Sequence, residues 1–301
     1  MTEDPIPYIE RTRRYYAALG YTTPYRWAQH DDVPFQLLAK PLKHSRIALI
    51  TTASAEASAK ADGATPHLAY DASAKFFSVY SGDTAAERDL RINHVAIDFK
   101  HTTGADQGSY FPLHALRRSV AHGSRGGRIG ALTRRFHGAP TNRSQRVTRE
   151  TDAPEILRRC QEDGADAAIL VPNCPVCHQT VSLIGRHLEA HGIPIVIMGC
   201  AKDIVELCSV PRFLFSDFPL GNSAGRPHDV ASQDQTLDLA LDLLEQARAP
   251  RTTRQSPLTW SADRSWKRDY GSLDGLTPDE RDRLRAEFDR GKQVAQQLKA
   301  R

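Results

Sequence analysis

The chain has no apolar run approaching the roughly 20 residues that a membrane-spanning helix needs, which argues against an integral helical membrane protein. Its first residues, Met1-Thr2-Glu3-Asp4-Pro5, lack the basic and apolar regions of a secretory leader, so a cytoplasmic location is expected. An excess of one charge is also missing. The 40 basic and 36 acidic residues leave a formal net charge of +4, which is weak ground for a nucleic-acid partner. A basic run from Arg117 and Arg118 through Arg125, Arg128, Arg134, Arg135, Arg143 and Arg146 carries Phe136 as its aromatic and no zinc-finger or RNA-binding signature. It reads as solvated surface or an anion-binding loop. Cysteines are few: Cys160, Cys174, Cys177, Cys200 and Cys208. Five is an odd number in a chain too large to need disulfide staples, so reduced thiols are expected.

What is present suits a globular α/β protein. With 301 residues, 40% of them hydrophobic, the chain can bury one large core or two similar lobes. Residues 1–45 mix aromatics with charge (Tyr8, Tyr15, Tyr16, Tyr21, Tyr25, Trp27) and read as an N-terminal arm. A first α/β half is expected over 46–125, with strands at Arg46–Thr52, Phe76–Tyr80 and His94–Asp98, an Ala/Ser-rich connection from Ala53 to Ala64, and a helix after Pro112. A second half over 126–250 alternates more clearly. A strand at Ile129–Leu132 leads to a helix capped by Thr151 or Asp152, and strands follow at Ala167–Val171, Gly192–Met198 and Arg212–Phe215. A long amphipathic helix after Ser232 and Gln235, which stand in capping-box positions, covers the sheet. Residues 251–301 read as a polar tail ending in a charged helix capped by Thr277-Pro278-Asp279-Glu280. The expected fold is therefore two Rossmann-like or flavodoxin-like βα halves with mainly parallel sheets, between an N-terminal arm and a C-terminal helical tail.

Chemistry concentrates at Cys174-Pro175-Val176-Cys177-His178, where the apolar strand ending at Val171 gives way to a helix bearing Val181, Ile184 and Leu188 on one face. In parallel sheets, ligands bind beyond the carboxyl ends of the strands, and helix-start amides favour a thiolate. Right-handed crossovers bring the loops at Cys174, Cys200 and Asp217 to one edge, making Cys200 a candidate secondary thiol. A redox or nucleophilic thiol pair is one reading. A metal site built from Cys174, Cys177, Cys200 and His178 or Cys208 is another, although the second Cys or His pair of a structural zinc is missing. Inert turn cysteines are a third. A thioredoxin-like motif fits poorly, because that motif follows the first strands of a much shorter domain. A non-catalytic small-molecule-binding or scaffolding subunit also stays open, with the Asp217–Gly225 loop and Arg226 as an anion clamp.

The stretch from Asp163 through Cys174, continued to Gly192-Ile193-Pro194, resembles the selenoprotein B family of the glycine, sarcosine, betaine and D-proline reductases, in its cysteine-containing branch. Counting back from Gly192 puts Cys174 at the selenocysteine position. Cys177 matches the first of two following cysteines, and Thr180 stands at the second. Asn93–Asp98, Asp106 with Phe111-Pro112-Leu113, Asp217–Asn222 and Trp266-Lys267 resemble the same family; together the likeness covers roughly two-thirds of the chain.

The resemblance implies an oxidoreductase that reductively cleaves a carbon–heteroatom bond in an amino acid or amine derivative. It implies Cys174 as nucleophile, Cys177 as resolving thiol and His178 as proton donor or thiolate partner. It further implies His94, Asp98, Asp106, Asp217 and Asn222 as substrate-binding candidates. No cofactor is expected in this chain. The expected partners are a small-molecule substrate, a subunit bearing a pyruvoyl group, a thiol reductant such as a thioredoxin, and a second copy of the chain, with no membrane.

Overall fold

Parallel strands need crossovers, and in this chain the crossovers place helices on both faces of one sheet. The computed structural model describes residues 4–54, 78–92, 97–120, 127–140, 144–271 and 277–299. Its strands are β1 (Arg46–Thr51), β2 (Tyr80–Asp83), β3 (Ala131–Leu132), β4 (Arg135–Gly138), β5 (Ala167–Val171), β6 (Ile195–Gly199), β7 (Arg212–Phe215) and β8 (Thr252–Gln255). They join in the order β2-β4-β1-β5-β6-β7-β8, with β3 also pairing β1, and every pairing is parallel except β2 with β4. The two expected halves thus contribute to a single mainly parallel sheet: β4 returns to one side of β1 before β5 takes the other.

The helices are α1 (Tyr8–Ala18), α2 (Leu113–Ser119), α3 (Gln145–Val147), α4 (Ala153–Glu162), α5 (Pro175–Ala190), α6 (Lys202–Cys208), α7 (Val230–Gln246), α8 (Trp266–Asp269) and α9 (Pro278–Lys299). Alternation along the strands divides the core. Ile47, Leu49, Ile169, Val171, Met198 and Leu214 face the layer of α2 and α7, whereas Ala48, Ile50, Leu170, Ile197, Phe213 and Phe215 face α4, α5 and α6. Helix α5 is buried nearly all round, and Gly185 lets it sit close, since a Cβ there would meet Ile195 Cδ1 at 3.1 Å.

Several local expectations are corrected. Asp152 does not begin a helix: a π-helical turn (Thr148–Asp152) runs on from α3, and the cap is Ser144, whose side chain accepts from Val147 N–H. Asp229 caps α7 by accepting from Ser232 N–H at 2.9 Å, and the Ser232 hydroxyl instead accepts from Arg226 N–H at 3.0 Å. The polar stretch after Pro250 contains an edge strand, β8. Asp98 is in a turn, not a strand. Phe76, Phe77 and 93–96 lie outside the described residues. The capping box at Thr277 and Glu280 is present, each accepting from the other's backbone N–H.

The basic run offers no bare cationic face at most of its described members. Arg117 pairs with Glu87, Arg118 with Asp234, Arg128 with Asp242, Arg135 with Asp163, and Arg146 with Glu150. Arg125 and Arg143 lie outside the described residues. Among those described, no helix is long and apolar enough to cross a membrane.

Candidate functional site

The chain reverses its direction of travel across the sheet between β1 and β5, and at such a switch the loops beyond the strand ends part to leave a crevice. Cys174 stands there, three residues past the end of β5. Its extended backbone (φ −116°, ψ 172°) stops the strand geometry from running into the helix, and Pro175 begins α5 with a preset φ and no N–H to satisfy. The Cys174 sulfur takes the N-cap role, accepting from Cys177 N–H at 3.3 Å. An amide donor at a helix start is where negative charge on sulfur is stabilised. One turn on, the Cys177 sulfur meets the Cys174 sulfur at 2.6 Å. Both cysteines are buried, Cys174 with 6% of its surface exposed and Cys177 with none, so Cys174 is the less covered of the two.

The other three thiols have no such setting. Burial pushes Cys160, Cys200 and Cys208 each up to about 12, which keeps them protonated at neutral pH. The Cys200 sulfur lies 3.8 Å from the Ser223 hydroxyl, and Cys208 donates to the Ala28 carbonyl.

His178 follows Cys177 but is turned to the backbone. Its Nδ1 bonds the Cys174 carbonyl at 2.8 Å, and its Nε2 accepts from Cys200 N–H at 3.0 Å and Ala201 N–H at 3.2 Å. Accepting two N–H groups leaves Nε2 without a proton, so the ring is a neutral Nδ1–H tautomer. Both nitrogens are spent, and the ring staples the α5 start to the β6–α6 loop. Gly199 makes room for it: a Cβ there would lie 2.8 Å from Nε2. Burial lowers the His178 pKa from 6.5 to about 4. With the folded value depressed, its contribution to stability is full above pH 6.5 and is lost as pH falls toward 4. In ¹⁵N NMR the ring is expected to hold one neutral tautomer from pH 8 to 5; titration near 6.5 would contradict the staple.

The remaining expected residues separate into two groups. Asp98 and Asp217 both lie near the buried Tyr8, in company that the sequence does not advertise. Asp98, buried, accepts from His101 Nδ1 at 2.9 Å, and burial raises its carboxyl above the ordinary range. Asp217 pairs with the buried Lys267 ammonium, which also reaches the Asp4 carbonyl at 3.3 Å. Tyr8 and Tyr270 stack edge to face at 4.9 Å. Burial pushes both hydroxyls far up, helped at Tyr270 by Cys174 and Asp98 and at Tyr8 by Cys200, Tyr270, Asp98 and Asp217. Arg11 of α1 fastens this arrangement by donating to the Tyr270 carbonyl at 2.9 Å and to the Lys267 carbonyl. Ile6 and Tyr8 thus share a buried cluster with Trp266 and Cys200, against which Tyr270 packs.

Asp106 and Asn222 are occupied structurally. The Asp106 carboxylate accepts from Gly108 N–H at 3.0 Å, His228 N–H at 2.6 Å and Gln233 Nε2 at 2.7 Å, tying its loop to α7. Asn222 donates to the Pro219 carbonyl and accepts from the Thr102 hydroxyl. His94 lies outside the described residues. Tyr8, Tyr270, Lys267 and His101 were not among the expected site residues; Trp266-Lys267 was the one signal pointing to the tail. No three His, Cys, Asp or Glu side chains converge on a metal position among the described residues.

No family model matches the chain, and neither does a solved structure. Among curated proteins, it is 30% identical over 203 residues to the D-proline reductase subunit gamma of Acetoanaerobium sticklandii, covering 65% of this chain and 76% of that relative. It is 25% identical over 220 residues to the glycine reductase complex component B subunit gamma of Symbiobacterium thermophilum, covering 69% of this chain and 48% of that one.

Proposed function

The chain belongs to the selenoprotein B-like family of the D-proline reductase and glycine reductase component B gamma subunits, and on that basis we propose that it is the thiol-bearing component of a reductase. The observation that supports this reading is the pair of sulfurs 2.6 Å apart at the start of α5, with Cys174 the less covered and Cys177 wholly buried.

Cys174 is the nucleophile in this scheme. Its thiolate attacks a carbon next to a carbonyl; the C–S bond forms, and the carbon–heteroatom bond breaks with its electron pair leaving on the heteroatom, which takes a proton. The Cys177 thiolate then attacks the Cys174 sulfur. An S–S bond forms, the C–S pair passes to carbon, and carbon takes a proton. The substrate is reduced by two electrons, the dithiol is oxidised to a disulfide, and an external dithiol protein restores it. His178 acts as a positioning residue through its backbone bonds. Asp98 with His101, and Asp217 with Lys267, are the polar groups offered to the substrate. A pyruvoyl-bearing subunit is the expected partner; it would supply an electrophilic carbonyl, while this chain attacks and is re-reduced.

The test supplies the full chain with a dithiol reductant and either D-proline or glycine, with and without such a subunit, and measures substrate-dependent dithiol oxidation. Oxidation that requires Cys174 supports the reading. Equal oxidation by wild type and Cys174→Ser overturns it.

A further inference from the structure

His101 has a carboxylate at each of its ring nitrogens. Nδ1 lies 2.9 Å from Asp98 Oδ1, and Nε2 lies 3.3 Å from Oδ2 of Asp269, the last residue of α8. The three side chains step inward from solvent: Asp269 is 47% exposed, His101 22% and Asp98 2%. An imidazole takes a proton at one nitrogen and gives one up from the other, so a proton crosses the ring without the ring turning. The two ends suit that traffic. Asp269 meets water, and burial raises the Asp98 carboxyl above the ordinary range, so it can hold a proton as well as release one. The backbone N–H groups of Lys100 and His101 also serve the Asp98 carboxyl, and the His101 ring stands edge on to the buried Trp266 ring at 6.5 Å, which fixes the line in place.

The inner end is tied to the segment that leads into Cys174. Asp98 N–H donates to the Leu220 carbonyl at 2.9 Å; three residues after Leu220, the Ser223 hydroxyl donates at 2.7 Å to the carbonyl of Pro172, two residues before Cys174. Leu220 shares a buried cluster with Tyr8, Cys200 and Trp266, and Tyr270 packs against that cluster. Tyr270 follows Asp269 in the chain and is fastened by the bond from Arg11 to its carbonyl. Its hydroxyl is electrostatically coupled to Cys174 and to Asp98 alike, and Tyr8, stacked against it, is coupled to Asp98 as well. Asp217, the other carboxylate coupled to Tyr8, is engaged by Lys267 and is no part of the line.

We propose that Asp269, His101 and Asp98 form a proton relay between solvent and Cys174, with the Tyr270 hydroxyl as the last carrier. Cys174 loses a proton to become a thiolate, and the departing heteroatom gains one; the relay carries the first out and the second in. Outward, the Tyr270 oxygen accepts the thiol proton and passes its own to Asp98, so the tyrosine stays neutral. Asp98 hands a proton to His101 Nδ1, and Nε2 releases one to Asp269 and water. Inward, each transfer runs in reverse, and no electron moves along the line. Use of the inward path in turnover rests on the thiol reductase reading; the outward path does not.

Two readouts on the full chain test it. The first follows thiolate formation by its ultraviolet absorbance after a stopped-flow jump to higher pH, the part of the signal missing in Cys174→Ser being that of Cys174. His101→Gln keeps a donor for Asp98 but cannot pass a proton through, and it and Asp98→Asn are expected to slow this step about tenfold or more. His101→Ala is expected to be as slow, and imidazole in the buffer to restore it. Asp269→Asn alters a half-exposed side chain and stands in for Asp98→Asn if that buried variant does not fold. Wild-type rates in these variants overturn the relay, and so does a slow His101→Ala that imidazole leaves slow, which assigns the ring a structural role. The second readout is substrate-dependent dithiol oxidation, in which His101→Gln is expected to lower kcat about a hundredfold, more than it changes KM. An unchanged kcat overturns the inward path. If wild type oxidises no dithiol with either substrate, the reductase reading fails, while the thiolate arm still decides the relay.

Discussion

Replacing Cys174 by serine is expected to lower substrate-dependent dithiol oxidation at least about a thousandfold while leaving the protein folded. The second half of that expectation makes the variant informative. The Cys174 sulfur accepts from Cys177 N–H at the head of α5, and a serine hydroxyl is among the best acceptors for that position. The helix keeps its cap, so the melting temperature should move by no more than about 2 °C. Cys177→Ser separates the two thiols. With Cys177 wholly covered and Cys174 partly open, an incoming carbon meets Cys174 first. Cys177→Ser should therefore form the carbon–sulfur adduct and stop, leaving a mass increase on the Cys174 peptide and at most one turnover. An adduct on Cys177 in Cys174→Ser would reverse the assignment of the two roles.

The central buried strands and the thiol pair at a helix start were legible because they depend on local pattern. The short apolar runs at Arg46–Thr51, Ala167–Val171 and Ile195–Gly199 are strands buried from both sides, and a cysteine followed by proline after such a run marks a helix start. What was not legible depends on distant partners. His178 looks in sequence like a third chemical group beside two thiols, yet the β6–α6 backbone takes its second nitrogen. Asp106 looks available until α7 claims its carboxylate through Gln233. Tyr8 and Tyr270 are separated by nearly the whole chain, and nothing local announces that Arg11 will bring them together. The strand β8 was missed because Thr-Thr-Arg-Gln carries no apolar alternation; it forms by pairing with β7 at the sheet edge. That the two βα halves share one continuous sheet follows from β4 and β5 flanking β1, an order no local pattern encodes.

The same dependence on distant partners gives the second large effect. Helix α5 is held by polar side chains along its length. Gln179 accepts from Ala28 N–H at 2.7 Å, Arg186 donates to the Asp32 and Ser209 carbonyls, and Glu189 accepts from Gln36 N–H at 2.6 Å and Ile195 N–H at 2.7 Å. Arg212, completely buried at the start of β7, completes this set. Its guanidinium lies 2.6 Å from the Glu189 carboxylate, donates to the Gln36 carbonyl, and sits 4.3 Å from the Phe35 ring centroid. Burial pushes the Glu189 carboxyl up to about 7 even against that cation, so the pair is attractive but costly to desolvate. Arg212→Ala leaves Glu189 buried without its counter-charge and removes the hold on Phe35 and Gln36; a loss of about 3–5 kcal/mol is expected in urea unfolding. If the ion pair itself were the source of stability, Arg212→Met with Glu189→Leu would lose as much. If the cost is that of an orphaned charge, the double variant should recover most of the loss. The second outcome is expected, because apolar side chains can fill the space between α5 and β7 without leaving a charge behind. Because α5 carries both thiols at its first turn, Arg212→Ala should also raise the rate at which Cys177 is alkylated, which ties the stability of the far end of the helix to the covering of the inner sulfur.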